Sequence, residues 1–243
     1  SLNYNTTVAK DHHIKALVLF EKYDTLQSNF DAYREFTLDA LDQLFAGAST
    51  NKNNNGSASE AAYMGYVGRV NYDYKNRYLL ELGFRYDGAY KFSPDHRWGF
   101  FPTVSAGWRI SDEPFFGNAV KLVNNLKIRG SWGKLGDDGG AGAFQYLTGY
   151  NYPSGGYIFG ENILGGLTPA GTPNGLLTWY RSTTSNIGIE AGFLQDMFTM
   201  ELDVFIRKRT GLLAQRNLSL PGTYGATLPQ ENLNSDRTQG FEL

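Results

Sequence analysis

The side chains in this chain that could do chemistry on their own are few and poorly spaced for it. His12 and His13 are adjacent. In an extended strand they point to opposite faces and cannot share a metal ion. His96 stands outside any motif. Asp137-Asp138-Gly139-Gly140 sets two carboxylates beside two glycines, but it lacks the spaced oxygen ligands of a calcium loop and reads as a turn. Ser219 and Thr223 lie in a loop without a nucleophile elbow. Asn217-Leu218-Ser219 matches a glycosylation acceptor in form only. With no cysteine there is no thiolate ligand and no disulfide framework. These residues predict no catalytic centre, no metal site and no cofactor, hence no enzyme. A net charge of -2 supplies no basic field for nucleic acid.

Charged residues do recur with another regularity, along one phase of strand-like segments. Arg69, Glu81, Arg85, Asp87, Arg109, Lys127, Arg129, Glu190, Glu201, Asp203 and Arg207 all fall opposite an apolar phase. Tyr78, Leu80, Leu82, Phe84 and Tyr86 alternate with Leu79, Glu81, Gly83, Arg85 and Asp87. Strict alternation of this kind argues a β-strand with two unlike faces. Both signs of charge are present, which suits pairing within a wet interior.

The elements that must carry these residues follow from the same period. Strands are expected at 12–24, around 64–74, at 78–87, around 102–110, from 126, from 186 to 193, from 198 to 207, and from about Asp236. Lys75-Asn76-Arg77 and Gln195-Asp196 read as tight turns. Phe36, Ala40, Leu41, Leu44 and Phe45 recur at helical spacing, with Gly47 as a stop. A composition with 29 Gly, 16 Tyr and 16 Phe agrees with strands and turns. The connections sort by parity. Segments 25–61, 88–98, 137–182 and 212–235 are long or looped, whereas 75–77, 111–124 and 194–196 are compact. An up-and-down meander puts alternate connections at opposite ends, as in outer-membrane barrels with short turns on one side and long loops on the other. Tyr72, Tyr74 and Tyr78 flank the Lys75 turn on the apolar phase, and Trp108 and Phe198 also lie near compact connections. Amphipathic rings of this kind suit a membrane interface.

Three ordered blocks sharpen this reading. Tyr78-Leu79-Leu80-Glu81-Leu82-Gly83-Phe84-Arg85-Tyr86-Asp87-Gly88 precedes Phe101-Pro102-Thr103-Val104-Ser105-Ala106-Gly107-Trp108-Arg109-Ile110-Ser111-Asp112-Glu113. Leu126-Lys127-Ile128-Arg129-Gly130-Ser131-Trp132-Gly133-Lys134-Leu135-Gly136 follows. This run resembles the SusC-like (RagA/SusC) TonB-dependent outer-membrane transporters of Bacteroidetes. Leu177-Thr178-Trp179, Thr184 to Ile189 and Phe205 to Leu213 resemble a later part of the same barrel, and the likeness covers about 60–243.

The resemblance implies an all-β, antiparallel, up-and-down transmembrane β-barrel. The chain would supply about eight strands of a barrel of about 22 strands. It implies a partial barrel domain over residues 1–243, without the plug, the TonB-contact segment or the C-terminal strands. Segments 25–61, 88–98, 137–182 and 212–235 become extracellular loops, and the charged phase becomes lumen-facing. The implied localisation is the outer membrane. The implied partners are its lipid, a SusD-like surface lipoprotein and, through parts beyond this chain, the TonB complex. The cargo would be an oligosaccharide or a peptide. Tyr146, Tyr150, Tyr152, Tyr157, Phe159, Trp179 and Tyr180 become candidates for contact with cargo or lid. The alternative is a secreted or surface β-sandwich that binds glycans without transporting them.

Overall fold

The computed structural model describes residues 1–37, 41–116, 122–195, 197–216, 223, 225 and 227–243. Ala40 of the expected helix, Asp196 of the second tight turn and the Asn217–Ser219 tripeptide lie outside the described residues.

Among the described residues eleven strands follow in order: β1 (Leu2–Val8), β2 (His12–Tyr33), β3 (Asn53–Tyr74), β4 (Tyr78–Ala89), β5 (Trp98–Arg109), β6 (Val123–Asp137), β7 (Tyr150–Phe159), β8 (Asn162–Pro169), β9 (Tyr180–Phe193), β10 (Phe198–Gln215) and β11 (Gln230–Glu242). Nine form one sheet in the order β1-β2-β3-β4-β5-β6-β9-β10-β11, and β7 pairs with β8 as a separate hairpin. Each neighbour in the sheet is the next strand in sequence apart from the inserted hairpin, which is the up-and-down meander expected. Among the described residues no second sheet of similar size packs on the first. The sandwich alternative requires such a sheet.

The chain divides into two compact units. One comprises Ser1–Glu21 with Met64–Leu243, and the other comprises Lys22–Tyr63. In the second unit β2 and β3 continue as a long ribbon closed by local bonds. Arg34 Nη1 donates to the Gly47 carbonyl at 2.9 Å, Asn51 Nδ2 donates to Glu35 at 2.9 Å, and the Ala48 N–H donates to the Glu35 carbonyl at 2.8 Å. Among the described residues of the expected helix the regular structure is a 3-10 turn at Leu44–Ala46, and Leu41, Leu44 and Phe45 are exposed. A helix this short is stable only when its apolar face is buried, and these three side chains are not.

The strand count also differs from the expected eight. β1 is additional. Its Asn3, Asn5, Thr6 and Thr7 look polar in isolation, but cross-strand partners place Leu2 opposite Val18, Tyr4 opposite Ala16 and Thr6 opposite Ile14. β2 runs to Tyr33 rather than Asp24, β3 begins at Asn53, and β11 begins at Gln230 rather than near Asp236. The hairpin β7–β8 occupies the middle of a segment read as irregular. In each case pairing with a neighbour supplies backbone hydrogen bonds that composition does not advertise.

Within the first unit the register sets two faces. Tyr78 opposes Trp108, Leu80 opposes Ala106, Leu82 opposes Val104, Phe84 opposes Pro102 and Tyr86 opposes Phe100. The phase continues through Trp108 to Ile128, Ile128 to Ile189, and Ile187 to Val204. These side chains stay solvent-accessible: Leu82 is 48% exposed and Ile187 66%. A water-soluble monomer rarely carries so large a continuous apolar surface. The tight turn between β3 and β4 has Lys75 and Asn76 at φ 54° and 57°. Positive φ at both central residues matches the twist of the flanking strands, and the Asn76 N–H bonds Asp73 Oδ1 at 2.7 Å.

Candidate functional site

The opposite phase of the sheet is polar and concave. Residues of β1 to β6 and β9 surround a cavity of about 1000 Å³, among them Asn5, His13, Lys15, Arg69, Asn71, Glu81, Lys127, Arg129 and Asn186. A groove of this volume lined by seven adjacent strands requires the sheet to curve there, with its charged phase inside. Arg69, Glu81, Lys127 and Arg129 belong to the expected set. His13, Lys15, Asn71 and Asn186 do not. The strict β2 alternation that would have flagged His13 and Lys15 is masked by Leu17-Val18-Leu19-Phe20.

Ion pairs tie the expected residues together in two groups. Arg85 binds Asp87 at 3.0 Å and also Glu21 of β2. Arg129 is a hub. It reaches Glu190 at 2.8 Å and Asp203 at 2.6 Å, and it also binds Glu201. Lys127 meets Glu190 at 3.0 Å. Glu190 and Glu201 are direct cross-strand partners, an arrangement that repels unless a cation sits between them. Arg129 provides that cation. Asp203 is only 8% exposed, and the Arg129 pair offsets the cost of burying it. Glu81 is held by the Asn71 amide. Arg109 stands across from Lys127, and Arg207 across from Thr184 and Thr238, outside these groups.

The histidines have separate partners. His12 Nδ1 lies 2.8 Å from the Tyr72 hydroxyl, and His13 Nδ1 lies 3.0 Å from Thr7 Oγ1. Among the described residues no group of three or more His, Asp or Glu converges as a metal site. Asp137 accepts the Gly139 N–H at 2.5 Å and the Tyr180 hydroxyl, and Asp138 pairs with Lys91 at 3.0 Å. Both acids therefore serve local structure.

At the short-turn end an aromatic ladder runs across four strands. The His12 and Tyr74 rings are 4.7 Å apart, Tyr74 and Tyr78 6.2 Å, and Tyr78 and Trp108 6.3 Å with planes within 10°. Glu113, in the connection after β5, gathers the polar edges of this ladder. Trp108 Nε1 donates to it at 3.1 Å and Arg77 Nη1 at 3.3 Å. The Tyr78 hydroxyl bond, then the Trp108 bond and the Arg77 charge, hold the Glu113 carboxyl below its ordinary range despite partial desolvation. A second ladder lies toward the other end, where Tyr86 stacks on Trp98 at 4.8 Å and Tyr66 meets Phe20 at 5.1 Å.

The loop aromatics separate into two classes. Tyr150, Tyr152, Tyr157 and Phe159 of β7–β8 are exposed. Tyr146 and Tyr180 are half-buried, Tyr146 beside Phe144 at 6.3 Å. Trp179 is 8% exposed, and its Nε1 donates to the Arg97 carbonyl at 2.8 Å.

Comparison with known proteins agrees with this geometry. The family model "TonB dependent receptor-like, beta-barrel" matches residues 2–243. TonB-dependent receptor SusC of Bacteroides thetaiotaomicron is 34% identical over 188 residues, which is 76% of this chain and 18% of that protein. TonB-dependent receptor P39 of Formosa agariphila is 28% identical over 244 residues, 99% of this chain and 22% of that protein. Two solved structures of the RagAB peptide importer, in its closed-closed and open-open states, superpose with TM-scores of 0.83 and 0.82 at 21% and 22% identity. Each likeness covers 98% of this chain and 26% of the matched chain. At that identity the structural likeness speaks to fold alone. The chain spans about a fifth of the length of these curated relatives. A SusC/RagA-like sheet with an accessible apolar face and an ion-paired concave face, matched along nearly its whole length, belongs to the TonB-dependent receptor-like β-barrel family.

Proposed function

We propose that this chain is a stretch of the wall of a TonB-dependent outer-membrane transporter, a barrel of about 22 strands. The transporter would import oligosaccharides or peptides beneath a SusD-like surface lipoprotein, with energy from the TonB complex. The observation that carries this reading is the pair of unlike faces on one sheet. The convex face presents Leu82, Phe84, Ile187 and Val204 to the surroundings. In a bilayer core every backbone polar group must be satisfied internally, and antiparallel pairing does so while leaving an apolar outer face. The concave face carries the Arg85 and Arg129 ion pairs, as a wet lumen permits.

The two aromatic ladders support a membrane span between them. Tyr78 and Tyr86 are eight residues apart on β4. At ~3.3 Å per residue that separation is ~26 Å along the strand, or ~19–22 Å along the membrane normal at a tilt of ~35–45°, which covers most of the ~25 Å apolar band of such barrels. In this reading the connections within 25–61, 88–98, 137–182 and 212–235 face outward from the cell. The exposure of Tyr150, Tyr152, Tyr157 and Phe159 supports their role as the aromatics that meet cargo or lid.

The test uses the full-length gene product in its native envelope. Cysteine at Leu82 should resist a membrane-impermeant maleimide in intact outer membranes and react after detergent extraction. The protein should fractionate with outer membranes, run heat-modifiably, and co-purify with a surface lipoprotein. Labelling of Leu82→Cys in intact membranes at the rate of a loop cysteine such as Glu161→Cys sinks the reading. Tyr152→Ala with Tyr157→Ala should lower uptake of the cargo that supports growth, without lowering protein abundance.

A further inference from the structure

The described connections after β4 and β6 are joined with the start of β11 into one body. Phe92 and Leu177 are fully buried, Phe101 is 4% exposed, and Trp179 meets both phenyl rings at 5.5 Å. The Phe101 ring lies over the backbones of Gly99 and Gly136, where a Cβ would stand 2.2 Å and 1.9 Å from it. Polar bonds then weld segment 174–179 to both sides. Toward the first connection, Gly175 O accepts from Ser93 Oγ at 2.8 Å, Thr178 Oγ1 donates to His96 O at 2.9 Å, and Trp179 Nε1 donates to Arg97 O. Toward β11, Asn232 accepts the Thr178 N–H at 3.0 Å and donates to the carbonyls of Thr178 and Gly211. Asn174 Nδ2 reaches Gln230 O at 2.7 Å.

This body leans toward the charged side of the sheet. Phe101 is the register partner of Arg85 and shares its phase. It also carries the base of the β7–β8 hairpin, since Ala170 N–H bonds Gly149 O and Asn174 N–H bonds Gln145 O, each at 2.9 Å.

We propose that residues 89–98, 137–149, 170–180 and 230–232 are a single cooperative rim over the concave face. Trp179 is its positioning residue, and the rim holds the aromatic β7–β8 hairpin in one fixed orientation. The purpose of such a rim, presenting a preordered contact surface at the barrel mouth, rests on the transporter reading. Its existence does not.

Hydrogen exchange of the full-length protein in lipid nanodiscs tests the rim. Asn232→Ala and Trp179→Ala should each accelerate exchange of 89–98, 173–180 and 230–232 together by at least about tenfold, because a cooperative unit opens as a whole. Strand segments 78–86 and 126–132 should be unchanged. Trp179→Phe, which keeps a ring in the cluster, should restore most of the protection. Acceleration confined to the substituted segment, or none in either variant, overturns the proposal. Spin labels at Glu161→Cys and Asn76→Cys, in a background with no other cysteine, report the hairpin. A narrow distance distribution in the parent that broadens in Trp179→Ala supports the fixed orientation, and a broad distribution in the parent overturns it. Failure of the transporter reading shows separately, as absence of the protein from the outer-membrane fraction.

Discussion

Two tryptophans at opposite ends of the same sheet make unlike use of one side chain. Trp179, at the loop end, is 8% exposed and gives its N–H to a backbone carbonyl. Trp108, at the short-turn end, is 37% exposed and gives its N–H to the Glu113 carboxylate. The first is a core residue in a small dry cluster on the charged side of the sheet. The second is an amphipathic ladder residue, with a broad accessible face and a polar edge anchored at a turn. Aromatic content alone therefore says nothing about role. The medium against which the ring packs decides it.

The largest test of this contrast is truncation. Trp179→Ala should destabilise the loop end by about 3–5 kcal/mol, the usual range for removing a buried aromatic. Trp108→Ala should cost far less, because much of its ring remains accessible in the folded chain. Local exchange free energies at the two ends measure both, and equal losses would break the contrast. Next comes Gly136→Ala. Its Cβ would lie 1.9 Å from the Phe101 ring, and such overpacking costs about 1–3 kcal/mol. The same substitution at Gly130, whose Cβ would meet only the Asn186 carbonyl at 3.8 Å, should be close to neutral.

Brominated lipid tests the medium directly. In single-tryptophan variants, fluorescence from Trp108 should be quenched and that from Trp179 should not. Comparable quenching of both would show that the rim is not closed. The smallest expected effect concerns acid. Glu113 titrates below its ordinary range in the folded chain. The stabilisation it gives the turn is therefore complete above the ordinary carboxylate pKa and is lost as pH falls through the lowered folded value. Trp108 emission should shift over that acidic window, and Glu113→Gln should abolish the shift.

Much of the wall was legible in the chain. The alternation at Tyr78–Asp87 predicts a two-faced strand, and the register pairs its apolar members with those of β5 residue by residue. Arg85, Asp87, Arg129, Glu190 and Asp203 are expected on one phase; ion pairs join Arg85 to Asp87, and Arg129 to Glu190 and Asp203. Less was legible where neighbours supply the reason for a structure. β1 has weak patterning, and the predicted helix near Leu44 has periodicity although Leu41, Leu44 and Phe45 are exposed.

The loop end shows the limit most clearly. Trp179 stood among Tyr150, Tyr152 and Tyr157 as one more loop aromatic, with no local sign that it would be buried. What the sequence by itself determined was strand periodicity, the segregation of charge from apolar residues, and a family likeness. These depend on residues two apart in the same strand. Tertiary structure alone decided that Phe92, Phe101, Leu177 and Trp179 share a core, and that Asn232 of β11 ties Thr178 beside it to Gly211 of β10. Those contacts join segments separated by tens of residues, and they require strand pairing to bring the ends of β4 and β6 and the start of β11 together.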